Sequence, residues 1–416
     1  CDVDPTAAAA LTSPAAPIVL MKRRANANAA GSVAPGCGDL GLMLPYAPLH
    51  HLLFASGVGP LVMTSANLSG QPLTYRDEDA LRELADVADA FVVHDREIER
   101  PIDDSVVFPF HHGVIPIRRA RGYAPTIVRV ESLGEIQAQV ATLPQPLPEK
   151  EGGHSPSPLS GGTTGGATRE SSGEMRSQAP TLPQPLPERE GGQRTLPQPL
   201  AKREGGRARR VLAVGGELKG AVCLLNGQDA VLSEHLGDVT RVETYRHFID
   251  AVARLRQLFA FEPDVVACDM HPRYLTSGYA RELGLPVIEV QHHHAHIASV
   301  LAEHNRLDAV IGLACDGTGY GPDHAIWGCE VLRCERGAFE RLGHLEYFPL
   351  VGGDAAAAET WRPAAALLAS ESRSSRDQPL RFEPLFASVP ESARQAFQQQ
   401  MIAGLNAPPT SSLGRM

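Results

Sequence analysis

Short apolar runs broken by polar turns mark the chain from its start. Pro17 to Met21 reads as a strand, Leu40 to Leu44 as a second apolar run closed by Pro45, and His50 to Ser56 as a short helix. Pro60 to Thr64 reads as a further strand that runs into Ser65-Ala66-Asn67-Leu68-Ser69-Gly70. Asp77 to Ala90 has helical periodicity, with Leu81, Leu84, Val87 and Ala88 on one side. Ala90 to Val93, Asp103 to Phe108 and Ile115 to Arg119 follow as strands. This alternation predicts an α/β domain over residues 1–130.

From residue 209 the pattern is cleaner. Arg210 to Val214 is a strand into a glycine turn. Ala221 to Leu225 and Asp229 to Ser233 flank Asn226-Gly227, the strongest short hairpin signal. Glu243 to Phe259 reads as an amphipathic helix, with Phe248, Ala251, Val252, Leu255, Leu258 and Phe259 on one face. Strand Asp264 to Asp269, helix Ser277 to Leu283, strand Pro286 to Val290 and a histidine-rich helix complete a ribonuclease-H-like half. The pattern restarts at Ala309 to Asp316, with Ala325 to Leu332 and Phe339 to Tyr347 as partner strands. Two such halves in tandem predict an actin/Hsp70-like two-lobed domain over 209–416.

Residues 142–208 interrupt both domains. Thr142 to Gly153 recurs nearly verbatim at Thr181 to Gly192 and, degraded, at Thr195 to Gly206. Proline, glycine, serine and threonine dominate, so the stretch cannot bury enough apolar surface to offset ordering entropy. It is expected to be a disordered insert at a domain boundary.

The 416 residues are 43% hydrophobic, enough for two or three cores, and carry a formal net charge of −10. That charge argues against a general nucleic-acid or membrane-surface binder. There is no run of about eighteen apolar residues to span a bilayer. The seven cysteines are scattered without a C-x-x-C pair, which suits reduced thiols and a cytoplasmic location. The chain begins at Cys1 rather than Met, as a fragment would.

Candidate chemistry gathers where strands end. Gln291-His292-His293-His294-Ala295-His296 puts four of the sixteen histidines into five positions, between a strand and a helix. If the helix has begun by His292, then His292 and His296 share a face and can grip one metal ion. If the segment stays extended, His292, His294 and His296 share a face instead. Asp316 leaves the end of another central strand, and a carboxylate with two imidazoles is a normal set for Zn²⁺ or Fe²⁺. Asp269 and His271 end the strand between them and are second-rank candidates, set behind the ligands. Two glycine turns, Glu217 to Gly220 and Gly317 to Gly321, occupy equivalent places in the two halves. Either alone is an ordinary turn; together they predict backbone N–H groups at phosphate, from Gly216, Glu217, Lys219, Gly317, Thr318, Gly319 and Gly321.

Several stretches carry a resemblance. Pro45 to Leu53, Thr64 to Gly70, Asp103 to Val107 and Arg118 to Tyr123 resemble the YrdC-like domain of the hydrogenase-maturation carbamoyltransferases, the HypF family. Val214 to Lys219, His235 to Asp238, Asp269 to Pro272, Gln291 to His296, Asp316 to Gly321, Trp327-Gly328 and Gly352 to Asp354 resemble the carbamoyltransferase domain of the same family. The resemblance implies a partial YrdC-like open twisted sheet whose Thr64, Ser65, Asn67, Ser105 and Arg119 line an ATP site. It implies a metal held by His292, His296 and Asp316. It implies an enzyme that makes carbamoyl-adenylate from ATP and carbamoyl phosphate. The carbamoyl group would pass to the C-terminal cysteine of a HypE-family protein, as the precursor of the cyanide ligands of nickel-iron hydrogenase. By the same resemblance the chain is expected to lack the start of the YrdC-like domain, the modules before it, and the end of the second lobe with a later metal-binding aspartate. Cys329 stands where the family has a second glycine after tryptophan, and Val351 where it has a proline. The other functions weighed are tRNA threonylcarbamoyl transfer, O-carbamoyl transfer in natural-product synthesis, and a non-catalytic remnant.

Overall fold

The computed structural model describes residues 1–26, 29–68, 71, 73–111, 113–130, 209–335, 337–374 and 386–415. The repeat segment 142–208 lies outside them, as do Ser69 and Gly70. The described residues fall into two compact units, one within 1–137, 207–347 and 410–416 and the other within 348–409.

The first unit opens with helix α1 (Pro5–Leu11), which starts where Asp4 caps the Ala7 N–H at 2.7 Å and Pro5 pre-sets the first turn. Its Ala7 and Ala10 pack on Val19, Met21 and Val107. Those residues lie in or beside a four-stranded sheet, order β2-β1-β3-β4, made of β1 (Ile18–Lys22), β2 (Asp39–Leu42), β3 (Val106–Phe110) and β4 (Gly113–Arg118). Helices α2 (Pro48–Ala55) and α3 (Asp77–Glu83) lie between β2 and β3 in sequence. Two predicted strands are absent: 60–64 and 90–93 are irregular, and Val62 and Val93 are 74% and 56% exposed. An apolar run becomes a strand only when a neighbour pairs with its backbone, and neither run is a member of the sheet. The helix predicted to Ala90 stops at Glu83, and Val87, assigned to its buried side, is 70% exposed.

The predicted boundary at 130 also moves. β5 (Thr126–Arg129) pairs antiparallel with β8 (Asp229–Leu232), so the tail of the first segment is an edge strand of the next sheet. That sheet has the order β10-β9-β6-β7-β8-β5, with β6 (Arg210–Ala213), β7 (Cys223–Asn226), β9 (Val265–Asp269) and β10 (Val287–Val290). The Asn226-Gly227 hairpin forms as read, with Gly227 at φ +65°. Helices α4 (Val242–Leu258) and α5 (Leu275–Glu282) bring Phe248, Val252, Leu255 and Ala280 onto Leu212, Leu224 and Val266.

Helix α6 (His292–Glu303) was read as the last layer of this half. It packs instead on the following sheet, formed by β11 (Val310–Tyr320), β12 (Ile326–Glu335) and β13 (Ala338–His344). Ile297 and Leu301 meet Val310, Ala314, Trp327, Leu332 and Phe339 there. A side chain at Gly312 would drive into Ile297, so this glycine admits the helix. The predicted turn at 317–321 is corrected too. β11 continues through Gly319 to Tyr320 with a register break after Cys315, and the chain reverses at 321–325.

Glu330 on β12 is fully buried, yet its carboxylate accepts from Arg341 Nε at 2.6 Å, from the Gly328 N–H at 3.1 Å and from Ser411 Oγ at 2.5 Å. Arg341 in turn lies 3.8 Å over the Trp327 ring. A buried charge satisfied on this many sides locks β12, β13 and the 410–415 segment together. That segment begins in a two-residue strand, Pro409–Thr410, whose Thr410 pairs parallel with Ile326. The second unit is helical, with α7 (Ala355–Ala358), α8 (Trp361–Ser374) and α9 (Glu391–Ala403). Phe348, Val351, Ala365, Ala366 and Phe397 form its core. Among the described residues, no helix is long and apolar enough to cross a membrane.

Gly312→Val should force α6 off β11. Overpacking of this kind costs about 1–3 kcal/mol, read as a lower urea midpoint with unchanged m; an unchanged midpoint would contradict the packing described.

Candidate metal centre

β10 ends at Val290, and Gln291 then caps α6, its side-chain oxygen accepting the His294 N–H at 2.8 Å. The helix therefore begins at His292, which decides between the two sequence readings. His292 and His296, one turn apart, share a face; His294 turns away, its ring 5.2 Å from Phe339. His293 is buried, 6.2 Å from Trp327.

Asp316 on β11 meets the two facing imidazoles. His292 Nε2 lies 3.0 Å from Asp316 Oδ2 and 3.1 Å from His296 Nε2, and His296 Nε2 lies 3.6 Å from the same carboxylate oxygen. Tetrahedral zinc with bonds near 2.0–2.1 Å sets its donors about 3.3 Å apart. The three donor atoms already stand at such spacings, so these residues fit one ion without rearrangement of the backbone.

Behind His292 stands Asp269, which is buried and places Oδ2 2.8 Å from His292 Nδ1. Its other oxygen accepts the His271 N–H at 2.8 Å, and Ser277 Oγ donates to its carbonyl at 2.8 Å. The carboxylate thus holds the proton on Nδ1 and leaves the Nε2 lone pair for the ion. Burial alone would lower the His292 pKa, but its hydrogen bonds to Asp269 and Asp316 outweigh that and carry it up to about 9. Burial raises Asp316, while hydrogen bonds from His292, His296 and the Gly317 N–H overcome it and hold the carboxyl below its ordinary range. Both directions describe a site that favours positive charge, which a divalent cation supplies. His293, by contrast, is pushed down to about 4 by burial and by His292, and stays neutral.

The carboxylate is fixed from the far end of the chain. Gly317 N–H donates to Asp316 Oδ1 at 2.6 Å, and Ser412 Oγ donates to the Gly317 carbonyl at 2.7 Å. Thr410, Ser411 and Ser412 are fully buried. A Cβ on Gly328 would sit 2.6 Å from Ser412 Cα, and one on Gly414 2.8 Å from Gly317 Cα. Sequence reasoning missed this strap: two serines after two prolines read as surface coil, and their partners lie 81 to 96 residues away.

The first glycine turn forms as predicted. Gly215 has φ +69°, and a Cβ there would lie 2.5 Å from the Ala221 carbonyl. Lys219 takes φ +52°. Glu217 accepts the Leu275 N–H at 2.7 Å. Tyr274, stacked 4.0 Å from His271, is pushed up by burial and then by Asp269, Glu217 and Asp316. A Cβ on Gly216 would lie 4.0 Å from the Tyr274 ring. Of the second set, Gly319 has a packing reason: a Cβ there would collide with His293 and lie 3.0 Å from His292 Cδ2. Gly321 likewise clears the Trp327 indole. Thr318 is half-buried between them.

The residues assigned to an ATP site in the first segment differ in how free their side chains are. Ser105 is fully buried and its hydroxyl is used internally, accepting the Ala120 N–H at 2.8 Å and donating to the Arg121 carbonyl at 2.9 Å. Thr64 and Ser65 are exposed, and Asn67 folds its own loop by donating to the Gln71 carbonyl at 2.8 Å. Arg119 is half-buried, and its carbonyl accepts the His235 N–H at 2.7 Å. Among the described residues no hydrogen bond joins 64–67 to Ser105 or Arg119.

Three family descriptions match successive stretches: "Telomere recombination", the Sua5/YciO/YrdC family, over 2–120; "HypF Kae1-like domain" over 206–303; and "Carbamoyltransferase, Kae1-like Domain, second subdomain" over 312–416. The chain is 36% identical to carbamoyltransferase HypF2 of Cupriavidus necator over 438 residues, covering 100% of the chain and 44% of that protein. It is 36% identical to carbamoyltransferase HypF of Rhodobacter capsulatus over 421 residues, covering 100% of the chain and 46% of that protein. A crystal structure of full-length HypF in the phosphate- and nucleotide-bound form superposes with a TM-score of 0.75 at 34% identity, covering 100% of this chain and 53% of that one. The class is therefore a YrdC-like segment followed by a Kae1-like domain with a His/His/Asp centre. The chain belongs to the HypF carbamoyltransferase family, as its motifs implied, and spans about half the length of the relatives it matches.

His292→Ala and His296→Ala should each strip most of the zinc retained after dialysis, and His294→Ala should retain it, by elemental analysis of the purified chain. Asp269→Asn should weaken zinc about 10- to 100-fold in a chelator competition; equal affinity would show that His292 needs no partner at Nδ1.

Proposed function

We propose that the chain supplies the nucleotide-handling and metal-centred parts of a carbamoyltransferase of nickel-iron hydrogenase maturation. ATP and carbamoyl phosphate are converted to carbamoyl-adenylate, and the carbamoyl group passes to the C-terminal cysteine thiolate of a HypE-family partner. The convergence of His292, His296 and Asp316, with Asp269 behind His292, in a chain of this family carries the reading. The nucleotide-bound state of the full-length HypF structure supports ATP as cofactor. The seven cysteines are all free, which supports a reducing cytoplasm as the setting.

Each residue then has a task. His292, His296 and Asp316 hold a zinc or iron ion, which when bound supplies Lewis-acid polarisation of the carbamoyl oxygen. Asp269 keeps the His292 tautomer, and the Gly317 N–H and the Ser412 strap aim Asp316. Gly216, Glu217 and Lys219 present backbone N–H groups and an ammonium to phosphate at the turn beside Tyr274. Thr318 offers a further backbone N–H from β11, Gly317 serves by holding Asp316, and Gly319 and Gly321 keep His293 and Trp327 close enough for that strand to serve. In the first segment Thr64, Ser65, Asn67 and Arg119 contact ATP, and Ser105 acts indirectly, by holding the 118–121 stretch in place.

The test is made on the full gene product. Pyrophosphate release from ATP should depend on carbamoyl phosphate, and mass spectrometry should find a carbamoyl group on the partner's terminal cysteine. His292→Ala should abolish the modification while pyrophosphate release persists. Release that requires threonine and bicarbonate instead would move the assignment to tRNA threonylcarbamoyl chemistry.

A further inference from the structure

Cys315 and Cys329 stand directly opposite each other on β11 and β12, at the last regular rung before the register break that precedes Gly319. Side chains of opposed residues leave a sheet on the same face, which sets these two thiols side by side. Opposed residues of an antiparallel pair have Cα atoms about 4.5–5.5 Å apart, inside the span of about 4.4–6.8 Å that a disulfide bridges.

The pair faces outward. Ala314 packs under α6, so Cys315 points the other way with Ile311 and Leu313, which are 63% and 67% exposed. Cys315 is exposed and Cys329 half-buried. Cys268 and Cys334 are buried, and burial pushes the Cys223 thiol up to about 11. Among the described cysteines, this is the pair that combines access to solvent with a thiol partner in reach.

We propose that Cys315 and Cys329 form a redox-responsive pair, closed by hydrogen peroxide into a cross-strand disulfide that staples β11 to β12 one residue before Asp316. The Cys315 thiolate attacks the peroxide, breaking the O–O bond and giving a sulfenic acid and one water after proton transfer. The Cys329 sulfur then attacks the sulfenic sulfur, forming S–S and releasing a second water. Each sulfur gives up one electron, and the peroxide takes both. Cys315 acts first because it is exposed; Cys329 resolves because it is shielded and stands opposite. The staple fixes the strand where its regular register ends, at the base of the segment that carries Asp316. The proposal does not depend on the transfer reaction.

The purified full chain is treated with stoichiometric hydrogen peroxide and mapped by mass spectrometry without reduction. The expected product is a peptide pair joined through Cys315 and Cys329, lighter by two hydrogens, with a melting temperature raised by several degrees and returned to its starting value by dithiothreitol. In Cys329→Ser, dimedone should instead trap Cys315 as its sulfenic acid, with no rise in melting temperature. Cys315 over-oxidised to sulfinic acid in the unmutated chain, or linked to Cys37 or to a second chain rather than to Cys329, would overturn the proposal.

Discussion

The contact on which the candidate metal centre depends is the 2.8 Å hydrogen bond between Asp269 and His292 Nδ1. It joins the end of β9 to the first residue of α6. A half-buried imidazole between two carboxylates gains from either a proton or a cation, so desolvation that would expel an isolated charge here helps to select one. Asp269 is itself held from two further directions, by the His271 N–H and through its carbonyl by Ser277, so the carboxylate that orients the histidine is fixed in its turn. Rigid support of this kind keeps ligand atoms within a bond length of their working positions.

Close approach is the second constraint. Three glycines along β11 and its turn remove side chains where α6 and Trp327 press in: Gly312 beneath Ile297, Gly319 beneath His292 and His293, and Gly321 beneath the indole. A glycine-rich strand end of this kind resembles a phosphate loop in one dimension. In three dimensions the same residues bring a helix near enough for its histidines to reach Asp316.

The 410–415 strap shows how a distant segment finishes a site. Glu330, Ser411, Ser412, Gly328 and Gly414 interlock behind Asp316, and each is small or charged rather than apolar. A satisfied buried polar network of this kind specifies one arrangement, because any slip leaves a buried donor or acceptor unpaired.

The sequence by itself determined the α/β class, the Asn226-Gly227 hairpin, the amphipathic helix around Phe248 and the family, and it named His292, His296 and Asp316 among its candidate ligands. All of these rest on local signals, either periodicity, turn chemistry or motif spacing. Tertiary structure alone decided the rest. Pro60 to Thr64 and Ala90 to Val93 have strand composition but no partner, and pairing is a property of two segments. β5 left the first segment for the next sheet because β8 offered an open edge. The histidine helix chose the sheet whose glycines leave room for it. Ser412 became part of the centre through a contact that no local window contains, with its hydrogen-bonded partner 95 residues away, and Asp269, a second-rank candidate in the sequence, was joined to His292 across 23 residues. Local chemistry names candidates, but which of them face one another depends on long-range packing, whose energy is set by burial and complementarity between residues far apart in the chain.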